Sequence, residues 1–232
     1  EPFIHQVCKD GLDQALEYGI ASERMHLIPY GVFPGRFQVT ETRETVRLRF
    51  ALPRDNFLVL SLAALGKEHK RIDYLIREVA ALRDASVFLC MAGEPTRETP
   101  ELRQLATELL PGRHSFLTVP RASIPGLLSA ADLFVLASLN EGFGMALIEA
   151  CSAGVPVVCH NSQHFQWVLG EAALCADMAA PGALTLKIQE AMGQEELRGR
   201  FSELGKARVE NCYSWRVLVP RYLEMYRSVM TA

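Results

Sequence analysis

The chain has 232 residues, of which 49% are hydrophobic, and its formal net charge is −3 at pH 7. These values suit one or two globular domains with a sizeable core and argue against a basic, nucleic-acid-binding protein. No apolar run approaches the ~20 residues that span a membrane, and no secretory signal is visible. The six cysteines show no CxxC pairing, which favours free buried thiols over a disulfide or zinc framework.

The first forty residues predict a strand, a helix and then a crossing rich in proline and glycine. The strand is predicted over 3–8 and the helix over 10–18, with Gly19 as its stop. The crossing follows them, and its proline and glycine content is the composition expected of a linker. Because the sequence begins with Glu rather than Met, and within an element, we expect a piece of a longer protein.

From residue 42 onward, apolar runs of strand length alternate with runs at helical spacing. Strands are predicted over 57–65, 87–92, 115–119, 133–137, 156–159 and 173–176. Helices are predicted over 42–51, 72–82, 99–109, 123–131, 144–154, 165–168, 181–192 and 195–209, with a last one after Ser214. This alternation predicts an α/β fold: a Rossmann-like parallel sheet with helices on both faces. Ligands bind beyond the carboxyl ends of the strands in such sheets.

The segment EGFGMALIE, residues 141–149, joins the predicted strand 133–137 to the following helix. Gly142 and Gly144 leave room for a ligand, and the free N–H groups of the helix N-terminus predict an anion site, most often for phosphate. Glu141 lies in the loop and Glu149 more than one turn inside an apolar helix. From these local features alone, Glu141 could equally be a helix N-terminal acid and Glu149 a structural salt bridge.

The same segment, continued through EACSAGVPVV to residue 158, resembles the donor-site signature of the retaining family 4 glycosyltransferases, which have the GT-B fold. The resemblance implies that Glu141 contacts the transferred sugar and that Glu149 binds the ribose hydroxyls. It further implies that backbone N–H groups hold the sugar and diphosphate, namely those of Gly142, Phe143, Gly144, Met145 and Ala146.

The loop GKEHKR, residues 66–71, follows the first strand of the main domain. By resemblance, Lys70 matches the lysine that grips the diphosphate, whereas Ala64 stands where the family usually has an arginine. Lys67 or Arg71 could supply the missing charge. The alternative is a solvated charged loop, which is what most such runs are.

Three further strand ends are candidates for the ligand side of the sheet. By resemblance, Gly93 keeps the cleft open and the loop with Val119 lies along the nucleobase. Arg121 could stack on the base or be an ordinary exposed arginine. His160 and His164 lie in a loop without further ligands, so we predict no metal site and no cofactor beyond the nucleotide sugar. The lack of an Asp-x-Asp motif fits metal-independent transfer.

The resemblance also implies a domain division. Residues 1–27 are expected to be the tail end of an incomplete N-terminal acceptor domain, and residues 28–40 an interdomain linker in which Tyr30 and Phe33 depart from the family pattern. Residues 41–212 would form the nucleotide-sugar-binding domain. Residues 213–232 would form a C-terminal helix, kinked at Pro220, that returns to the N-terminal domain; its apolar stripe also suits plain core.

The expected function is sugar transfer, with retention, from a nucleoside-diphosphate sugar to an acceptor hydroxyl. This chain would be the donor-binding portion and transfer poorly alone. The acceptor, a carbohydrate or lipid-linked glycan, would be held by the missing domain, in the cytoplasm or peripheral to the membrane. A nucleotide-sugar epimerase and a non-catalytic binding module stay open, and Ala64 favours the latter. A dehydrogenase is disfavoured because no GxGxxG follows the strand 57–65. Base, sugar and acceptor are left open.

Overall fold

The computed structural model describes residues 3–231 of the chain. Its strands are Ile4–Gln6 (β1), Met25–Leu27 (β2), Phe57–Leu62 (β3), Val87–Ala92 (β4), His114–Leu117 (β5), Leu133–Val135 (β6), Val157–His160 (β7) and Ala173–Ala176 (β8). Its helices are Lys9–Glu17 (α1), Arg43–Arg49 (α2), Ile72–Ala81 (α3), Thr99–Leu109 (α4), Ile124–Ser129 (α5), Met145–Ser152 (α6), Gln163–Leu169 (α7), Ala183–Gly193 (α8), Glu195–Cys212 (α9) and Trp215–Thr231 (α10).

The main sheet has six parallel strands in the order β5-β4-β3-β6-β7-β8. The predicted α/β architecture is therefore confirmed. Strands β3 and β6 are neighbours although two other strands lie between them in the chain, so the strand order reverses here. In doubly wound sheets the ligand crevice opens beyond the carboxyl ends of the strands at this reversal. The loops after β3 and β6 meet there.

Both faces of the sheet are covered, and for this reason its strands are almost wholly apolar. Successive side chains of β3 point to opposite faces: Leu58 and Leu60 pack on one side and Val59 on the other. The first side is covered by residues of α2, α5, α6, α7 and α9, and the second by residues of α3, α4 and α8. The packed sheet and its two helical layers fix where the loops at the carboxyl ends of the strands begin.

A buried arginine ties α2 to the amino end of the central strands. Arg47 is 2% exposed and donates to Asp132 at 2.8 Å and to the carbonyl oxygens of Pro53, Arg54, Asn56 and Ala130. Asp132 in turn accepts the backbone N–H of Leu58 at 2.7 Å. This network lies at the sheet end opposite the crevice, so it supports the fold rather than a ligand.

The short strands β1 and β2 form a separate parallel pair, and α10 packs on the segment that follows them. Ile28, Leu218 and Met225 form a small buried cluster, and Arg221 donates to the Leu27 carbonyl oxygen at 2.6 Å. The last helix thus returns to residues 25–29. Helix α10 continues through Pro220, and its kink remains a prediction, as does the assignment of 1–27 to an acceptor domain.

Most elements differ from their predicted bounds by a few residues, and two of these differences bear on the carboxyl end of the sheet. Helix α7 was predicted as one turn over 165–168 but begins at Gln163, because the Ser162 hydroxyl accepts the N–H of Phe165 and caps its N-terminus. The strand predicted over 57–65 ends at Leu62, where the chain leaves the sheet toward the crevice. The first difference lengthens α7 and the second shortens β3, and both lie at the carboxyl end of the sheet.

Candidate functional site

The two loops at the strand reversal bring Lys70 and Glu141 together. Lys70 Nζ lies 2.6 Å from Glu141 Oε1, although the residues are far apart in sequence. Their side chains are 21% and 10% exposed, so the pair is sheltered but open at one side. The ammonium has three donors and this contact uses one of them. The pair therefore retains capacity to bind a ligand.

The loop between Glu141 and α6 turns sharply before the helix begins. Gly144 has φ +91°, a left-handed conformation that favours glycine, and Met145 is the first helical residue. The first amides of a helix have no carbonyl partner within it, and the helix dipole is positive at this end. The N-terminus of helix α6 therefore faces the crevice, and the anion site predicted there stays a prediction.

A cavity of about 350 Å³ brings most of the predicted site residues together. It is lined by Val7, Tyr30, Leu62 and Leu136. It is also lined by the predicted donor-site set Lys70, Glu141, Gly142, Phe143, Gly144, Met145 and Ala146. Seven residues identified from the sequence thus share one cavity at the strand reversal. Tyr30, three residues after β2, packs edge-on against Phe143 at 5.7 Å between ring centroids and closes one side.

Glu149 lies beside a second, larger cleft of about 490 Å³, which shares Met145 with the first cavity. Burial raises the pKa of the Glu149 carboxyl, and the neighbouring Arg121 guanidinium offsets part of that rise. Arg121 Nη2 lies 2.7 Å from Glu149 Oε1. Glu149 is thus a buried carboxylate that faces a cleft with a single charged partner.

Arg121 is exposed, as one of the two roles left open for it expected, and stacking on a base stays a prediction. Its side chain is 83% exposed, yet its guanidinium pairs with Glu149 rather than lying free in solvent. A 3₁₀ turn at Arg121–Ser123, separated from the end of β5 by three residues, places its guanidinium against Glu149 of α6. Sequence reasoning missed this ion pair because its two residues lie on different elements with no spacing rule to connect them.

Lys67 and Arg71, the expected substitutes for the missing arginine, are engaged elsewhere. Lys67 Nζ lies 2.6 Å from Glu101 on α4, next to a different cavity. Arg71 donates to the Met178 carbonyl oxygen at 2.8 Å and lies over the Tyr74 ring. Ala64 itself is exposed. The structure therefore brings Lys70, but neither Lys67 nor Arg71, to the Glu141 loop.

Gly93 and Val119 lie at strand ends but outside the lining of these two cavities in the described chain. A Cβ on Gly93 would lie 1.8 Å from the Ala63 carbonyl oxygen, so glycine is required by backbone packing between β3 and β4 rather than by an open cleft. Val119 is half-buried against the core. Their assigned contacts with a donor remain predictions.

The prediction that both histidines lie in a loop is wrong: His160 is the last residue of β7 and His164 lies in α7, whose N-terminus is capped by Ser162. His160 Nδ1 accepts the N–H of Met178 at 3.2 Å, whereas His164 is 6% exposed and lies next to the carbonyl oxygen of Phe143. Among residues 3–231 there is no group of three or more His, Cys, Asp or Glu side chains that could hold a metal ion. Over the same residues, no helix combines the length and apolar character needed to cross a membrane.

Comparison with protein families gives a match over the greater part of the chain. Residues 42–208 match the family described as glycosyl transferases group 1. Mannosylfructose-phosphate synthase of Agrobacterium fabrum (strain C58 / ATCC 33970) is 31% identical over 230 residues, which cover 92% of this chain and 50% of the relative. The chain spans about half the length of the curated relatives that it matches over most of its residues.

Solved structures share the fold at low sequence identity. Anabaena Alr3699/HepE, determined in complex with UDP and glucose, has a TM-score of 0.87 at 19% identity, covering 99% of this chain and 63% of that one. The C-terminal domain of a group 1 family glycosyl transferase, LpcC of Francisella tularensis, has a TM-score of 0.70 at 18% identity. That domain covers 80% of this chain and is itself covered completely.

Proposed function

The chain belongs to the glycosyl transferases group 1, and on that premise we propose that it binds the nucleoside-diphosphate sugar that donates the transferred sugar. The observation that carries the proposal is the shared cavity of Lys70, Glu141 and the N-terminal amides of α6, adjacent to the cleft of Glu149. One end of this arrangement suits an anion and the other suits hydroxyl groups. A nucleoside-diphosphate sugar carries both.

The diphosphate is assigned to Lys70 and the amides of residues 142–146. A doubly charged leaving group needs cations or N–H donors, and α6 supplies a dipole directed at the same place. Lys70 now contacts Glu141 at 2.6 Å. When the diphosphate arrives, the ammonium has two further donors for it, and Glu141 remains beside the position of the sugar hydroxyls.

The ribose is assigned to Glu149. A carboxylate accepts two hydroxyl hydrogens in a bidentate manner, which suits a vicinal diol. Its location in the second turn of α6 places it on the same helix as the diphosphate amides, and Met145 lines both cavities. The base then extends toward the cleft that Arg121 borders.

Transfer to an acceptor hydroxyl would be metal-independent in this arrangement. Charge that develops on the departing diphosphate is stabilised by Lys70 and by the helix N-terminus, which are pre-organised for it. Retention of configuration and membership of family 4 are proposed from the 141–158 segment and its resemblance. The residues proposed to bind the donor are Lys70, Glu141, Glu149 and residues 142–146. Lys67, Gly93 and Val119 have weaker support because none of them lines the two cavities in the described chain.

The acceptor is proposed to bind outside these two cavities, through an N-terminal domain to which residues 1–27 belong, with 28–40 as the linker. The proposed acceptor is a carbohydrate or a lipid-linked glycan. A cytoplasmic location, with peripheral contact to the membrane through that domain, is proposed with it. The free thiols of all six cysteines suit a reducing compartment.

The test is calorimetric titration of the chain with UDP, GDP and ADP, for wild type and for Glu149→Ala. We expect one nucleotide to bind, and Glu149→Ala to weaken it about tenfold or more, a loss of about 1.4 kcal/mol. Glu101→Ala, on exposed α4, is the control and should leave the affinity unchanged. Equal affinity of wild type and Glu149→Ala for every nucleotide would contradict the assignment.

A non-catalytic nucleotide-sugar-binding module is the second candidate, and one observation favours it. Ala64 is exposed at the position of the family arginine, and both Lys67 and Arg71 are engaged elsewhere. The discriminating measurement is sugar transfer by the longest available form of the protein. Nucleotide binding without any transfer would support the module and contradict the enzyme.

A further inference from the structure

His164 is a buried polar residue that the donor site as described above does not use. It is the second residue of α7, its side chain is 6% exposed, and its ring packs edge-on against Phe165. An imidazole in such surroundings costs free energy unless its nitrogens have partners. An apolar side chain would fill the same volume without that cost. The ring nitrogens therefore point to a role beyond packing.

One nitrogen of His164 faces the loop between Glu141 and α6, which is part of the proposed donor site. Nε2 lies 3.3 Å from the carbonyl oxygen of Phe143, the middle residue between Gly142 and Gly144. In a trans peptide the C=O and the N–H of the next residue lie in one plane and point in opposite directions. A Phe143 carbonyl held toward the buried ring therefore turns the Gly144 N–H away from it. Gly144 lines the cavity assigned to the diphosphate.

The other nitrogen faces a carboxylate from the N-terminal segment. Nδ1 lies 3.5 Å from Asp10 Oδ2, in the first turn of α1, and it has no hydrogen-bond partner in the described chain. A carbonyl oxygen and a carboxylate oxygen both act only as acceptors. The ring therefore donates to the Phe143 carbonyl oxygen only through a hydrogen on Nε2. The Asp10 carboxylate lies beside Nδ1 on the other side of the ring.

We propose that His164, held by Asp10, is a positioning residue that fixes the Phe143–Gly144 peptide plane so that the Gly144 N–H faces the diphosphate. The proposal rests on the donor role proposed above. It makes the anion site depend on a contact from α1, outside the six-stranded domain. Removing the ring frees the peptide to rotate, which costs diphosphate affinity and leaves the contacts of ribose and base unchanged.

The experiment compares each nucleoside diphosphate, UDP, GDP or ADP, with its parent nucleoside on the whole chain. For the nucleotide that wild type binds, His164→Leu should weaken the diphosphate about fivefold or more and change nucleoside affinity less than about twofold. His164→Gln keeps an N–H donor near the Nε2 position and should recover most of the loss. A purely structural role would lower both affinities together and would not be rescued selectively.

Substitution of Asp10 is a second test of the positioning role, and it changes no buried residue. Its side chain is 60% exposed, so Asp10→Asn should fold normally. We expect a loss of about twofold to threefold in diphosphate affinity alone, and no further loss when His164 is already Leu. Asp13→Asn, on the same helix and paired with Lys9, is the control and should have no effect.

The outcomes separate the two claims. Suppose that wild type binds the nucleoside diphosphate, and that His164→Leu lowers its affinity and that of the nucleoside equally, or lowers neither. That result overturns the positioning role and leaves the donor site intact. Failure of wild type to bind any of the three nucleotides overturns both. A loss from Asp10→Asn that is as large in the His164→Leu background as in wild type would overturn the role of Asp10.

Discussion

Glu78 on α3 and Glu149 on α6 are both glutamates buried on helices that cover the sheet, and they differ in how fully their oxygens are used. They are 5% and 7% exposed. Glu78 accepts the N–H groups of Gly182 and Thr185 and the Thr185 hydroxyl, at 2.8, 2.9 and 2.9 Å. Glu149 has one charged partner, Arg121, whose own side chain lies largely in solvent.

The difference separates a structural carboxylate from one that faces a ligand. Glu78 caps the N-terminus of α8, so its charge is balanced by amides that belong to the fold. Glu149 faces a cleft with capacity left on its oxygens, and burial raises the pKa of its carboxyl. A buried charge without full compensation costs stability. Such a cost at Glu149 is expected of a residue whose remaining partner is a ligand.

The largest effect is expected at Glu78. Glu78→Gln replaces one accepting oxygen by an NH₂ group that faces N–H donors, so the free energy of unfolding should fall by about 1–3 kcal/mol. Nucleotide affinity should stay unchanged because the residue lies away from both cavities. Denaturant unfolding and calorimetry on the same samples measure the two quantities. A large loss of affinity without a loss of stability would reverse the roles assigned to the two glutamates.

Two lysines of one loop extend the contrast, since both pair with a glutamate but only one lies in the donor cavity. Lys70→Ala should weaken the nucleoside diphosphate about tenfold, because one cationic contact to phosphate is lost. Lys67→Ala removes only its contact with Glu101 and should change affinity less than about twofold. Equal losses from the two variants would show that Lys67 also reaches the diphosphate.

Stability at Glu149 should change in the direction opposite to that at Glu78. The folded-state pKa of the Glu149 carboxyl lies above its ordinary value, chiefly through burial. The folded protein therefore binds this proton more readily than the unfolded chain, and ionised Glu149 lowers stability at pH values above the folded pKa. Glu149→Gln should raise the Tm by a few degrees at neutral pH. The difference should vanish toward pH about 4, where the unfolded carboxyl is also protonated.

That comparison is made by thermal unfolding of both proteins across the same pH series. Arg121 loses its partner in the variant, but its exposed side chain is solvated and costs little. A Tm for Glu149→Gln below that of wild type at neutral pH would mean that Glu149 is satisfied within the fold, as Glu78 is.

The smallest effect is expected at Arg121. The guanidinium lowers the pKa of the Glu149 carboxyl against the larger effect of burial, so Arg121→Met should raise that pKa further. Nucleotide affinity should then begin to fall at a higher pH as the solution is acidified. Arg121→Lys keeps a cation and serves as the control. An affinity profile that does not move with Arg121→Met would exclude this coupling.

Strand positions followed from the sequence because local rules determine them, whereas the donor-site set came from the resemblance of residues 141–158 and stays a prediction. Strands β4 and β8 have the predicted bounds, since each is an apolar run bounded by turn residues. The GFG turn and the apolar helix after it predicted the α6 terminus. What local rules could not supply was pairing between elements. The strand order places β6 beside β3, so the loop after β3 meets the loop of Glu141. Within that loop Lys70 contacts Glu141, whereas Lys67 contacts Glu101.

The side-chain partners of Glu149 and His164 were missed for the same reason. Arg121 and Glu149 lie on different elements, and Asp10 reaches His164 from α1, at the other end of the chain. Glu78 was not singled out either, because a glutamate on an amphipathic helix has no sequence feature that reveals its burial. The sequence identified Glu149 through its motif. The structure distinguishes it from Glu78 through the hydrogen-bonding capacity that is left on its carboxylate oxygens.

The most direct test is whether Glu149 binds the ribose. The nucleoside diphosphate that wild type binds is compared with its 2′,3′-dideoxy analogue, on wild type and on Glu149→Gln, by calorimetry. We expect wild type to prefer the ribonucleotide by about tenfold, as for hydrogen bonds to a charged acceptor, and Glu149→Gln to lose most of that preference. A preference of the same size in Glu149→Gln would contradict the account, because another group would then be holding the ribose hydroxyls.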